Sequence, residues 1–145
     1  MASNASRGAA AKSKTKKWLE ARGFQVAYLE VVRFIWRPVG PPMPVKRDQF
    51  GSDLLAMNAE QIMFVQVKSG KSAEGGTFPQ ARREFAKFVF PSHAKRVIIA
   101  WPFRARAPRV VEVWGAEAEH LLEPSSMFEP PTVVKLTSIQ LERTT

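Results

Sequence analysis

Residues 52–70, SDLLAMNAEQIMFVQVKSG, constrain the fold of this chain more than any other stretch. Two apolar runs, Leu54-Leu55-Ala56-Met57 and Ile62-Met63-Phe64-Val65, flank the polar break Asn58-Ala59-Glu60-Gln61, a pattern that predicts a β-hairpin turning at 58–61. Folding there carries Asp53, at the head of the first strand, toward Gln66 and Lys68, which leave the second. Strand side chains alternate with period two, so Gln66 and Lys68 share a face while Val67 points the other way. An acid, an amide oxygen and an ammonium therefore converge. A lysine closing an apolar run is a costly place for a charge unless it serves something.

The chain has 145 residues, the size of one domain able to bury its own core, and a single domain is expected. Zero cysteines exclude disulfides, thiolate metal sites and cysteine nucleophiles. No apolar run approaches the roughly 20 residues that cross a bilayer, and the N-terminus lacks the apolar core of a signal peptide, so a cytoplasmic soluble protein is the expectation. Charge is unevenly placed. Residues 1–111 carry 20 bases against 7 acids, and residues 112–145 carry 2 against 6, so the net +9 belongs to the part that holds the hairpin. That distribution reads either as simple basic solubility or as the electrostatic footprint of a nucleic-acid binder.

The remaining stretches place elements around the hairpin. Residues 1–6 read as disordered, and residues 7–22, rich in alanine and lysine without proline, predict a helix stopped by Gly23. Ala11, Trp18 and Leu19 mark its apolar side, and Lys12, Lys14, Lys16 and Lys17 are candidates for backbone phosphate contact. Residues 25–36 read as one long or bent strand in which Val26, Tyr28, Val32, Phe34 and Trp36 share a parity with Glu30. Four prolines and a glycine in residues 38–45 predict an exposed, stiff loop beside Lys46 and Arg47. Residues 69–76 read as a flexible polar loop with Lys71 able to touch phosphate; its Gly-Lys-Ser lacks the upstream glycine of a phosphate-binding loop, so nucleotide hydrolysis is a poor reading. Helical spacing of Phe78, Ala81, Phe85, Phe88 and Val89 predicts a helix over 77–90 with Arg82, Arg83 and Lys87 outward. Strands follow at 95–101 and 109–114, with Arg104 and Arg106 exposed between them. A short acidic helix is expected at 116–123 and a strand or docked tail at 133–136. His93 and His120 have no metal-ligand neighbours in sequence.

Asp53 followed after twelve residues by Gln66-Val67-Lys68 resembles the motif of the PD-(D/E)XK nuclease superfamily, with Gln in place of its second acid. The basic helix ending Ala21-Arg22-Gly23-Phe24, the loop from Lys46 to Asp53, and Val97-Ile98-Ile99-Ala100-Trp101 resemble the archaeal-type Holliday junction resolvases over roughly residues 7–114. The resemblance implies an α/β fold, a mixed central β-sheet flanked by helices with a restriction-endonuclease-like core, residues 115–145 forming a C-terminal appendage. It implies a Mg²⁺- or Mn²⁺-dependent endonuclease acting on branched DNA as a homodimer, with Asp53, Gln66 and Lys68 catalytic and Asp53, the Gln66 side-chain oxygen and the Val67 carbonyl as ligands. Lys46, Arg47, Lys71 and Arg82 join the helix lysines as DNA-binding candidates. The resolvases place a metal-binding glutamate in the first helix, and here that position falls on Lys12. Glu30 is first a solvated residue near an edge, and otherwise the missing acid. Asp48 ligates metal, acts through water, or caps the turn at Gln49-Phe50-Gly51, the last being preferred. Trp36, Val39, Met43, Phe50 and Trp114, with little core to enter, fit a dimer surface. An inactive nucleic-acid-binding protein on the same scaffold is the alternative reading.

Overall fold

The computed structural model describes residues 4–114 and 119–122. Helix α1 (Asn4–Glu20) is followed by strands β1 (Gln25–Tyr28), β2 (Glu30–Ile35), β3 (Met43–Asp48), β4 (Leu54–Met57) and β5 (Ile62–Ser69), a 3₁₀ turn (Gly70–Glu74), helix α2 (Phe78–Ala86), and strands β6 (Ala94–Trp101), β7 (Arg109–Val113) and β8 (Glu119–Leu122). Six strands form one mixed sheet in the order β1-β4-β5-β6-β7-β8, while β2 and β3 form a separate two-stranded ribbon. Among the described strands only β5 and β6 pair in parallel, as the crossover through α2 requires. The fold is therefore α/β, a mixed sheet between two helices.

The hairpin forms as its sequence dictates. Leu54 lies opposite Val65 and Met57 opposite Ile62, and Asn58 closes the turn by accepting the Glu60 and Gln61 amides on its Oδ1 at 2.9 and 2.7 Å. Alternation along the strands then builds two cores. Leu19 and Phe24 from the α1 side meet Leu54, Met63, Val65, Val97 and Ile99, and Phe78, Ala81 and Phe85 of α2 meet Ile98, Ala100 and Val111 on the other face. On α1 the buried face is Ala11, Thr15 and Leu19, spaced at four residues. Thr15 Oγ1 donates to the Ala11 carbonyl (2.7 Å) and accepts the Trp101 indole N–H (2.8 Å), tying helix to β6.

Several expectations are corrected. Asn4–Ser6 belong to α1, not to a disordered tail; Met1–Ser3 lie outside the described residues. The strand expected over 25–36 breaks at Leu29, because its amide donates to the Asp53 carbonyl (2.8 Å) and its carbonyl accepts from Gln49 N (3.2 Å), so β1 and β2 enter different sheets. Part of the proline loop is strand: Met43, Pro44 and Val45 pair with β2, which a two-stranded ribbon tolerates because each strand is an edge. The polar loop 69–76 contains the 3₁₀ turn, with Ala73 buried. Helix α2 stops at Ala86, so the last two positions of its apolar stripe fall outside it, and Val89 is fully exposed at 101%. No acidic helix spans 116–123: Glu119–Leu122 pair antiparallel with β7, where main-chain pairing of an open sheet edge outweighs helix propensity. That part of the expected appendage thus belongs to the sheet, and residues 133–136 lie outside the described residues.

Candidate active site

Three carboxylates converge although their residues are far apart in sequence. Glu30 opens β2 directly opposite Asp48 at the end of β3. Asp48 then leads into the turn Gln49–Phe50–Gly51–Ser52, in which Ser52 N donates to the Gln49 carbonyl at 2.9 Å and Gln49 bridges Ser52. Both central residues have positive φ, 54° at Phe50 and 67° at Gly51, the signature of a type I′ hairpin turn. Such a turn brings the residues just outside it, Asp48 and Asp53, side by side. Glu30, Asp48 and Asp53 consequently offer oxygens all within 4.8 Å of one another.

Like charges facing one another across strands destabilise a sheet unless something offsets them. Here Lys12 does so from α1: its ammonium donates to Glu30 Oε1 and lies 3.3 Å from Asp53 Oδ1. Asp53 is 2% exposed, and its other oxygen, Oδ2, accepts the Val67 main-chain N–H at 2.8 Å. The Asp48 carboxyl is pushed up to about 6, first by the protein that excludes water from it, then by the charge and hydrogen bond of Asp53; Lys12 and Lys68 oppose the shift. Among the described residues the cluster thus holds more negative charge than the contacting Lys12 ammonium removes.

Asp48 also lines a cleft of about 440 Å³ on the α2 face of the sheet, together with Arg47, Gly51, Gln66, Lys68, Gln80, Glu84 and Phe88. Gln66 and Lys68 point into it while Val67 packs into the α1 core, as strand alternation requires. Glu30 and Lys12 line a separate concavity of about 390 Å³ with Lys46 and Tyr28. The carboxylates therefore stand between two openings. A ring of edge-to-face phenylalanines anchors the turn: Phe50 meets Phe64 and Phe88 at centroid distances of 5.9 and 5.7 Å.

Of the expected site residues, Asp53 lies with Glu30 and Asp48, and Gln66 and Lys68 share a cleft with Asp48. Glu30 is not a solvated edge residue, since it is half-buried and paired with Lys12. Asp48 does not cap the turn, which is closed by main-chain atoms and by Ser52 Oγ donating to the Phe50 carbonyl at 3.2 Å. Val67 meets Asp53 through its N–H. The basic candidates divide among surfaces: Arg47 in the cleft, Lys12 and Lys46 beside Glu30, Lys14 and Lys71 in a third concavity. Lys16 pairs with Glu20 at 2.9 Å, Lys17 is exposed, and Arg82 is half-buried on α2 outside the cleft. Sequence reading missed Gln80 and Glu84, whose i, i+4 spacing on α2 was the available signal.

Three carboxylates are the hard oxygen donors that Mg²⁺ or Mn²⁺ prefers, and their oxygens lie close enough together to share one ion. The donor set fits such an ion provided the Lys12 ammonium yields its place. No family model and no curated protein matches the chain. Among solved structures it is similar to Hjc of Archaeoglobus fulgidus, described as a Holliday junction resolvase from an archaeal hyperthermophile, at 19% identity and a TM-score of 0.44 over 81% of this chain and 89% of that one.

Proposed function

We propose that this protein is a metal-dependent endonuclease acting on branched DNA, as a Holliday junction resolvase does. The convergence of Glu30, Asp48 and Asp53 beside a cleft lined by Gln66 and Lys68 carries the reading. Asp53, Asp48 and Glu30 would hold Mg²⁺ or Mn²⁺, with the Gln66 side-chain oxygen and the Val67 carbonyl as further candidate ligands. When bound, the ion supplies neutralisation of phosphate charge and a lowered pKa for coordinated water. Lys68 presents an ammonium to the same cleft, where it holds the attacking water and stabilises charge on the phosphoryl oxygens. Arg47 at the cleft rim positions the backbone. Purified protein with Mg²⁺ or Mn²⁺ should nick a four-way junction, and Asp53→Ala and Lys68→Ala should each abolish nicking; cleavage that survives both changes rules the assignment out.

Lys12 supports a second reading, a DNA-binding protein without catalysis, because its ammonium already contacts two of the three carboxylates. Calorimetric titration distinguishes them: saturable Mg²⁺ binding lost in Asp53→Ala belongs to the nuclease. A homodimer is part of the proposal. Trp36, 82% exposed, with Phe34 and Ile35 of β2 and Val39 of the loop that follows, leaves apolar side chains exposed on and beside the ribbon, and light scattering should give twice the 16.3 kDa of the chain.

A further inference from the structure

The third concavity lies apart from the carboxylates. It measures about 770 Å³ and opens beside Ser69 and Trp101, the paired last residues of the parallel strands β5 and β6. Crevices at the carboxyl ends of parallel strands are where α/β sheets receive ligands. Arg7 and Lys14 reach it from α1 and Lys71 from the 3₁₀ turn, and among the described residues every charged side chain lining it is cationic.

Its two aromatic residues differ. Trp101 is buried, its indole N–H bonded to Thr15, and the Lys14 ammonium lies 4.2 Å from its ring centroid, so the tryptophan fixes a cation at the rim. Phe103 is 69% exposed. It follows Pro102 in a tight turn closed by Ala105 N donating to the Pro102 carbonyl at 3.1 Å, in which Arg104 takes the left-handed φ of 60° that non-glycine residues seldom adopt. Its ring lies over the backbone of Gly70, where an added Cβ would sit 3.5 Å from it. The loop thus holds an apolar ring toward water among three cations.

We propose that this groove binds an unpaired nucleic-acid strand, one base stacking on Phe103 while Arg7, Lys14 and Lys71 hold the neighbouring phosphates. A duplex covers its base faces and would leave the ring unused, and a small anion would use only the charges. A single strand presents phosphates and open base faces together, the combination that basic grooves with aromatic platforms recognise. The inference rests on the nucleic-acid reading of the chain and is independent of hydrolysis.

Fluorescence anisotropy with labelled oligothymidylate and with a labelled blunt duplex, both in chelator, tests it on the full chain. Phe103→Ala should weaken oligothymidylate binding roughly tenfold and change duplex binding by less than about twofold, with Phe103→Trp restoring the wild-type affinity. Lys71→Ala should lower the single-strand salt slope by about 0.7. Equal loss on both ligands, or no loss on oligothymidylate, overturns the groove assignment. Unchanged duplex affinity in Phe103→Ala shows that the variant is folded. Wild-type protein that binds neither ligand overturns the nucleic-acid reading itself, whereas loss of junction nicking alone touches only catalysis.

Discussion

Lys12 stands where its contacts oppose two functions. In the metal-free protein its ammonium offsets the charges of Glu30 and Asp53, and removing it leaves the half-buried Glu30 and the buried Asp53 without that offset. Lys12→Gln should therefore lower stability in chelator by about 1–3 kcal/mol, read from the urea midpoint. The same change removes the cation that competes for those oxygens, so calorimetry should show Mg²⁺ binding at least about tenfold tighter. Unchanged affinity would mean that the ion, if it binds, does not use them. Asp48 gives a pH test. Its folded pKa is pushed up to about 6 from the ordinary value of 3.8. A raised carboxyl contributes its stability fully below the unfolded value and loses it as pH rises through the folded one. Wild type should accordingly lose stability relative to Asp48→Asn between roughly pH 4 and 6.5 in chelator, leaving the variant more stable at pH 7 by about 1 kcal/mol, a figure discounted for the exposure of the residue. Thermal unfolding across that range measures it.

The turn Gln49–Ser52 is the element that sets the spacing of Asp48 and Asp53. Gly51 has φ +67°, and an added Cβ would sit 3.3 Å from the Glu84 carbonyl carbon in α2. Gly51→Ala meets both the left-handed penalty and a backbone neighbour, and should cost about 1–3 kcal/mol in urea unfolding. The hairpin of β4 and β5 was legible because everything that specifies it is local: two apolar runs, an asparagine turn and strand parity. The pairing of Glu30 with Asp48 was not, since it depends on a ribbon closed across 38–45, where prolines argued against a strand. Lys12 was legible as a residue of the first helix from the composition of residues 7–22, but its inward contacts depend on how α1 docks, which no local pattern records. Glu119–Leu122 misled for the opposite reason: their composition suits a helix, and only the open edge of β7 makes them a strand.

At the scale of the molecule, the main sheet is enclosed by two cores and the ribbon is not: most side chains of β2 and β3 are exposed. An isolated two-stranded ribbon is marginally stable in water. What joins it to the rest includes the Leu29 bonds to Asp53 and Gln49 and the Lys12 contact with Glu30. Two of the three carboxylates sit on this ribbon, and the third, Asp53, heads β4 in the main sheet. An ion shared by all three would clasp one sheet to the other, and by linkage its binding free energy would add to the cost of lifting the ribbon away. Amide hydrogen exchange in residues 30–35 and 43–48 should then slow as Mg²⁺ rises, with β6 unaffected, so that the ribbon itself reports whether the three acids hold an ion.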